Sequence, residues 1–323
     1  STSSQVTKRP AGNDNKSVES NQSKEPTLIE QWKEHYNNRD FTTKPYHLHR
    51  MGVFSFFFCL LAVPVYCIIF VLPTLGLTAV EFAGFLFIIL FVMAETFMNF
   101  MACINRHHDK DIVYCFHCNQ PNQVVTAAAA AKPTRMQEGW RACPHCQRDA
   151  PPRSHHCKIC GECVLRRDHH CYFTSCCIGH HNQKHFLVMC VYSTIGLSMG
   201  ICLTSINLTD QFQLPGNLFL PVTLWRLFSD YSYLVNVVLV LSVYLQIGCL
   251  GVTCVYFFLE TVLVLRGQTF FEMGCNLRRY NLGVWDNMRV ALGDWYHWPL
   301  LLLYPIDSKQ AADGAEWLIT KHC

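Results

Sequence analysis

Residues 143–186 read CPHCQRDAPPRSHHCKICGECVLRRDHHCYFTSCCIGHHNQKHF. Eight cysteines and eight histidines fall in this stretch, far more soft and imidazole ligands than a packed core of its size uses, so a metal is the first expectation. Cys143 with Cys146, Cys157 with Cys160, and Cys160 with Cys163 are each separated by two residues, which lets both sulfurs of a pair face one tetrahedral ion. Two structural zinc ions take about eight ligands. Cys143, Cys146, Cys157, Cys160, Cys163 and Cys177 with two histidines supply them, and Cys171 is left over. A thiol of ordinary pKa, about 8.5, becomes a nucleophile near neutral pH when an imidazole takes its proton and an acid orients that imidazole. Asp168, His169 and Cys171 offer all three groups within four residues. Spacing alone leaves either histidine, His169 or His170, as ligand or as base.

The stretch resembles the cysteine-rich domain of the DHHC protein S-acyltransferases, the membrane palmitoyltransferases. The resemblance runs through Cys143-x2-Cys146, His156-Cys157-x2-Cys160-x2-Cys163, Asp168-His169-His170-Cys171, Cys177, Asn182 and Phe186. It implies one zinc on Cys143, Cys146, His156 and Cys163, and a second on Cys157, Cys160, His170 and Cys177. It also implies Cys171 as the acylated nucleophile, His169 as its base and Asp168 as the orienting acid, with palmitoyl-CoA or another long-chain acyl-CoA as donor.

Four positions depart from the family pattern. Tyr172-Phe173 replaces Pro-Trp, so Phe173 keeps an aromatic beside the thioester while the turn chemistry changes. Ala150 replaces the basic residue before Pro151-x-Arg153, which shifts the implied contacts of Arg153 to coenzyme A phosphates. Cys176 stands where asparagine is frequent. Thr269-Phe270-Phe271-Glu272 resembles the family's Thr-Thr-x-Glu, but Phe270 removes a hydroxyl that could orient Asp168. Further on, Gly283-x3-Asn287-x5-Gly293 resembles the C-terminal motif in which the asparagine supports the fold.

Outside the cysteine-rich stretch the chain is apolar. Of 323 residues half are hydrophobic and only 15% charged, the composition of a membrane protein. A formal charge of +3 is too small and too dispersed for a nucleic-acid partner. The cysteines cluster at ligand spacing or lie in apolar runs, so a reducing compartment is expected rather than a disulfide scaffold. Apolar segments at about 51–72, 78–101, 186–206 and 233–256 are each long enough to cross a hydrocarbon layer of roughly 30 Å, with Pro73 and Gly76 turning the chain between the first two. Glu81 and Glu95 interrupt the second. An intramembrane carboxylate is a functional suspect by default, and the plainer reading puts each near an end or against a neighbouring helix. Ser193, Gly196, Ser198 and Gly200 along the third permit close helix packing or, more pointedly, leave space for an acyl tail.

Residues 102–185 carry 11 basic and 6 acidic side chains, a net +5, whereas residues 207–232 carry 1 and 2, a net −1. Basic loops stay in the cytosol, so the cysteine-rich segment and both termini are expected there, and the sequon Asn207-Leu208-Thr209 on the luminal side. No signal peptide is expected, because the first apolar run begins near Met51. Residues 1–50 read as a polar tail, disordered over the first 25 or so, with a helix from Thr27 that Glu30 caps, lying on the membrane or fraying. Cys115 and Cys118 form one more pair at ligand spacing, for a third zinc or as ordinary surface residues, and the run Ala127 to Ala131 is a connector. Trp285, Trp295 and Trp298 anchor the segment 257–323 to the interface, or fill its core.

The sequence thus predicts an all-α membrane protein: a tail over 1–50, a hairpin of spans over 51–101, a zinc-stapled, loop-rich domain over 102–185, two further spans with a luminal loop over 186–256, and a C-terminal segment. By the resemblance it is a multi-pass enzyme of the Golgi, endoplasmic reticulum or plasma membrane. It would meet membrane lipid, acyl-CoA and substrate proteins with membrane-proximal cysteines, and it leaves room for an accessory subunit. The rival is a zinc-stapled membrane adaptor that has kept the ligands and lost turnover. A zinc ribbon for nucleic acid or ubiquitin enzymes explains the cysteines but neither the four spans nor Asp168 to Cys171.

Overall fold

Long apolar runs satisfy their own backbone groups only as helices, and the cysteine-dense segment, poor in apolar side chains, folds into tight hairpins instead. A computed structural model of the protein describes residues 45–106, 140–212, 219–230, 234–306, 310 and 317. The expected helix from Thr27, the Cys115 and Cys118 pair and the alanine run lie outside the described residues.

Helix α1, Pro45–Tyr66, contains Pro64. A proline there withholds one N–H from the helical ladder, and the helix loosens into a π turn over Cys67–Val71 and a 3-10 turn over Leu72–Leu75. Gly76, at φ 62°, ends it. Thr78 then caps α2, Ala79–Asn105, through a capping box with Glu81, so Glu81 sits at a helix end. Glu95 is buried, with Asn99 Nδ2 donating to its Oε2 at 3.2 Å. Glu81 therefore takes the plainer of its two readings. After the hairpins come α3, Gln183–Phe212, α4, Leu220–Ser229, and α5, Leu234–Leu265. Three short helices follow: α6, Phe270–Gly274, α7, Val284–Leu292, and α8, Trp298–Leu303.

Among the described residues four helices are long and apolar enough to cross a membrane, over Met51–Leu75, Ala79–Asn105, Gln183–Ile206 and Val240–Leu265. Helix α3 lies between α2 and α5. The second, third and fourth reach beyond the limits expected from hydropathy, and in the third and fourth the added turns carry buried polar side chains. Gln183, Lys184 and His185 open α3 at 3% exposure or less, and Glu260 lies inside α5 at 2%, so a hydropathy window stops while the helix continues. Helix α4 was not expected. The all-α expectation also needs correction, because the described residues include six strands of three residues each, paired as three antiparallel hairpins.

The hairpins sit against the ends of the spans. Asn182 donates to the Cys103 carbonyl at the end of α2 and to the Cys177 carbonyl, at 3.0 and 2.9 Å. At Gly52 a Cβ would stand 2.5 Å from the Tyr172 carbonyl oxygen, so only glycine lets α1 pass that close. Asn287 on α7 donates to the Leu265 carbonyl at 2.8 Å and so covers the end of α5. Trp285 and Trp295 are 72% and 68% exposed, which makes them surface aromatics rather than core.

Candidate active site and metal centres

The three hairpins repeat one local design. Strands β1 (Arg141–Cys143) and β2 (Arg148–Ala150) pair with Cys143 opposite Arg148. In β3 (His155–Cys157) and β4 (Glu162–Val164) Cys157 faces Glu162, and in β5 (His169–Cys171) and β6 (Cys176–Ile178) Cys171 faces Cys176. Each first strand ends on a cysteine, and four residues turn the chain. The last of the four is left-handed: Gln147 at φ 52°, Gly161 at 74° and Ser175 at 57°. In the first two turns the amide of the second cysteine donates to the first sulfur, Cys146 to Cys143 and Cys160 to Cys157, both at 3.4 Å. In the third, Thr174 takes the place of the second cysteine and bonds the Cys171 sulfur through its backbone and its side chain. Cys171 thus lies in a metal-clip turn whose second sulfur is missing.

Two clusters of ligand atoms result, Cys143, Cys146, His156 and Cys163 in one, Cys157, Cys160, His170 and Cys177 in the other. In each cluster the ligand atoms all lie within 4.8 Å of one another. Tetrahedral zinc with bonds of about 2.3 Å to sulfur and about 2.0 Å to nitrogen holds sulfurs roughly 3.8 Å apart and nitrogen roughly 3.5 Å from sulfur. Cys160 and Cys177 sulfurs are 3.7 Å apart. His170 Nδ1 stands 3.6, 3.3 and 3.6 Å from the sulfurs of Cys157, Cys160 and Cys177, and His156 Nδ1 3.2 Å from Cys146. The residues present fit zinc.

Cys171 lies outside both clusters and is 1% exposed. His169 Nδ1 donates to Asp168 Oδ2 at 2.7 Å, and its ring packs against Phe186 and Tyr256, at 5.3 and 5.6 Å between centroids. Its Nε2 is buried and closes no ordinary hydrogen bond. Asp168 Oδ1 accepts the backbone N–H of Phe270 at 2.7 Å, so a main-chain donor at the start of α6 does the orienting that the missing hydroxyl was expected to do. Burial alone would push His169 down, but its bonds to Asp168 and Cys171 and the nearby carboxylates carry it up to about 10. Burial raises the Cys171 thiol, and the bond to His169, its charge and the Thr174 donors outweigh this and hold the thiol below the ordinary range. Asp168 is held low against its burial, chiefly by His169. These shifts favour a thiolate on Cys171 and an imidazolium on His169, with the Asp168 carboxylate behind it.

A second carboxylate, absent from the sequence expectations, completes this centre. Glu260 Oε1 lies 3.4 Å from His169 Nδ1, and its Oε2 accepts from Gln183 Nε2 at 3.0 Å. Gln183 Oε1 in turn accepts from Arg166 Nη1 at 2.6 Å. A lone acidic residue in the continuation of an apolar run was the one signal that could have found it.

An apolar cavity of about 430 Å³ opens between the spans, lined by Phe173, Gly196, Gly200 and Tyr256 among others. Phe186, Met189 and Cys190 both line it and pack with Cys171. Cys171 therefore belongs to a buried cluster that borders the cavity, without itself lining it.

Arg153 is 6% exposed and directed into the protein. It pairs with both oxygens of Glu272 at 2.7 and 2.8 Å, donates to the Gly267 carbonyl at 2.8 Å, and lies 4.5 Å from the ring centres of both Tyr280 and Trp317. Thr269 caps α6 in a capping box with the same Glu272. Asp168, His169 and Cys171 are thus brought together with Phe173. Arg153, Thr269 and Glu272 form a separate buried knot, Gly196 lies deeper between the spans, and Asn182 and Asn287 tie elements to helix ends.

Residues 136–275 match the family model described as DHHC palmitoyltransferase. The chain is 31% identical over 200 residues to the probable palmitoyltransferase ZDHHC24 of Rattus norvegicus, covering 55% of this chain and 64% of that one. It is 33% identical over 194 residues to the protein of the same name from Danio rerio, covering 57% and 64%. It is 28% identical over 165 residues to the probable protein S-acyltransferase 16 of Arabidopsis thaliana, covering 47% and 54%. The matches span less than two thirds of the length of these relatives.

Proposed function

We propose that this chain, whose residues 136–275 match the DHHC palmitoyltransferase family model, transfers a long-chain acyl group from acyl-CoA, through a thioester on Cys171, to cysteines of other proteins. The observation that carries this reading is a thiol outside both sulfur-rich clusters, next to an imidazole held by a carboxylate, in one buried cluster with residues that line an apolar cavity.

In the first half-reaction the Cys171 thiolate attacks the carbonyl carbon of the acyl-CoA thioester. The bond to the coenzyme A sulfur breaks, and that thiolate takes the proton from His169 Nε2. In the second, a substrate thiol gives its proton to His169 as its sulfur attacks the acyl-enzyme, and Cys171 leaves as the thiolate, restoring the starting ion pair. Asp168 holds the His169 tautomer and offsets its charge. Burying a chain of about sixteen carbons is favourable by roughly 0.8 kcal/mol per methylene, which is why such a site belongs beside a cavity inside a helical bundle. Where zinc is held by Cys143, Cys146, His156 and Cys163 and by Cys157, Cys160, His170 and Cys177, it supplies cross-links that fix the hairpins. The basic charge of residues 102–185 supports a cytosolic position for this segment, and the substrates would be proteins with cysteines near the membrane.

The test is labelling of the purified protein with palmitoyl-CoA. Cys171→Ser is expected to keep its zinc and to form no hydroxylamine-labile adduct, whereas Cys160→Ser is expected to lose zinc. Label resistant to hydroxylamine, or unchanged in Cys171→Ser, would leave the non-catalytic adaptor as the better account.

A further inference from the structure

We propose that Glu260 is a positioning residue for His169, a second acid acting from the fourth span, an inference that rests on the acyl-transfer reading above. The carboxylate is 2% exposed, on the helix that also carries Tyr256 against the His169 ring. A buried ionisable group is costly unless its partners hold it, and within a span it costs more than any apolar residue that could fill the same space. Packing alone does not explain it. Its partners do: Gln183 Nε2 donates to Oε2 at 3.0 Å from the first turn of α3, and Oε1 faces His169 Nδ1 at 3.4 Å. Gln183 is itself fixed by Arg166, from the loop that precedes β5.

The imidazole therefore meets two carboxylates at one nitrogen. Asp168 takes the hydrogen bond at 2.7 Å, and Glu260, at 3.4 Å, stands beside that bond on the membrane side. Phe186 meets the ring edge-to-face and Tyr256 stacks on it, at 5.3 and 5.6 Å between centroids, and Glu260 adds a second acceptor at Nδ1 that favours this orientation of the ring. The consequence is at the other nitrogen. Nε2, buried and without an ordinary hydrogen bond, stays turned to Cys171, where both proton transfers occur. Orientation of a general base to within hydrogen-bond reach is a precondition of its effect, which is worth about 10²–10⁴ in rate.

The test uses the full chain in nanodiscs, with single-turnover acylation by palmitoyl-CoA over a range of concentrations. Glu260→Ala is expected to lower the saturating rate constant by about 10- to 100-fold, part of the general-base effect. Half-saturation should stay within about twofold and zinc at the wild-type content. Glu260→Gln keeps the shape and can accept from Gln183 while donating to Asp168, so it is expected to recover to within about threefold of wild type. Histidine ¹⁵N spectra supply an independent readout, since Glu260→Ala should move the His169 ring signals and Glu260→Gln should not. Wild-type rates in Glu260→Ala would overturn the inference. So would equal losses in both variants with loss of zinc, which would make Glu260 a folding residue. If wild type itself forms no adduct, the acyl-transfer reading fails instead, and the His169 spectra still decide whether Glu260 orients the ring.

Discussion

Removing one member of the Arg153–Glu272 pair should loosen the cysteine-rich segment far more than removing both. Arg153 follows β2 and Glu272 lies on α6, and the side chains are 2% and 3% exposed, with two bonds of 2.7 and 2.8 Å between them. Neither partner has water to fall back on. Truncating one leaves a buried uncompensated charge, which costs about 3–5 kcal/mol. For Glu272→Met the capping box at Thr269 also goes, adding about 1 kcal/mol. In the double variant, Arg153→Met with Glu272→Met, no charge remains, and buried pairs replaced by apolar side chains of similar volume are often no less stable. Tyr280 and Trp317, which flank the guanidinium, can pack on methionine as they do on arginine.

The assay is release of bound zinc to a chromogenic chelator from protein in detergent, which reads opening of the hairpins while the spans stay folded. At one factor of ten for each 1.36 kcal/mol, either single variant should release zinc at least about a hundredfold faster than wild type. The double variant should be slower than both. Single variants within about fivefold of wild type, or a double variant as fast as the faster single, would refute the reasoning, because the pair would then contribute nothing that burial makes costly to break.

Two further outcomes follow from the same geometry. Phe270 holds Asp168 through its backbone N–H, so Phe270→Ala should acylate near the wild-type rate. Phe270→Pro, at a helix position that tolerates proline, should slow acylation by at least about tenfold with zinc retained, and equal rates would show that the main-chain donor is idle. At Gly196 a Cβ meets only Val92, at 3.1 Å, with the cavity beyond. Gly196→Phe should therefore shift preference to shorter acyl chains, about fourfold in affinity for each methylene excluded. Intact-mass analysis after a mixture of acyl-coenzymes A reads that preference, and an unchanged distribution would place the tail elsewhere.

The four apolar helices and the ligand inventory were legible in the chain because both rest on local composition: long apolar runs and short cysteine spacings. What escaped were interactions between distant segments. Glu260 reads as an interruption near the end of an apolar run, and its meaning depends on His169, far away in sequence but 3.4 Å distant in space. Phe270 reads as a loss because a sequence displays side chains, whereas the donor to Asp168 is its amide. The strands were missed because three residues are too few to show alternation between polar and apolar positions, and because their side chains are ligands rather than core.

Those short strands also account for how the two adjacent histidines take different surroundings. Along a strand successive side chains point to opposite faces. In β5, His170 is directly across from Cys177, and both reach into the second sulfur-rich cluster. His169 and Cys171, one residue to either side, must then face away from that cluster, and each lies in the other's electrostatic field. The same alternation that turns His170 toward the cluster turns its neighbours away, so the hairpin that carries a metal-binding side also carries the free thiol. Thr174 completes the separation: with a hydroxyl and an amide where the other turns have a second sulfur, the turn offers Cys171 hydrogen bonds, which favour the thiolate without occupying it as a metal ligand.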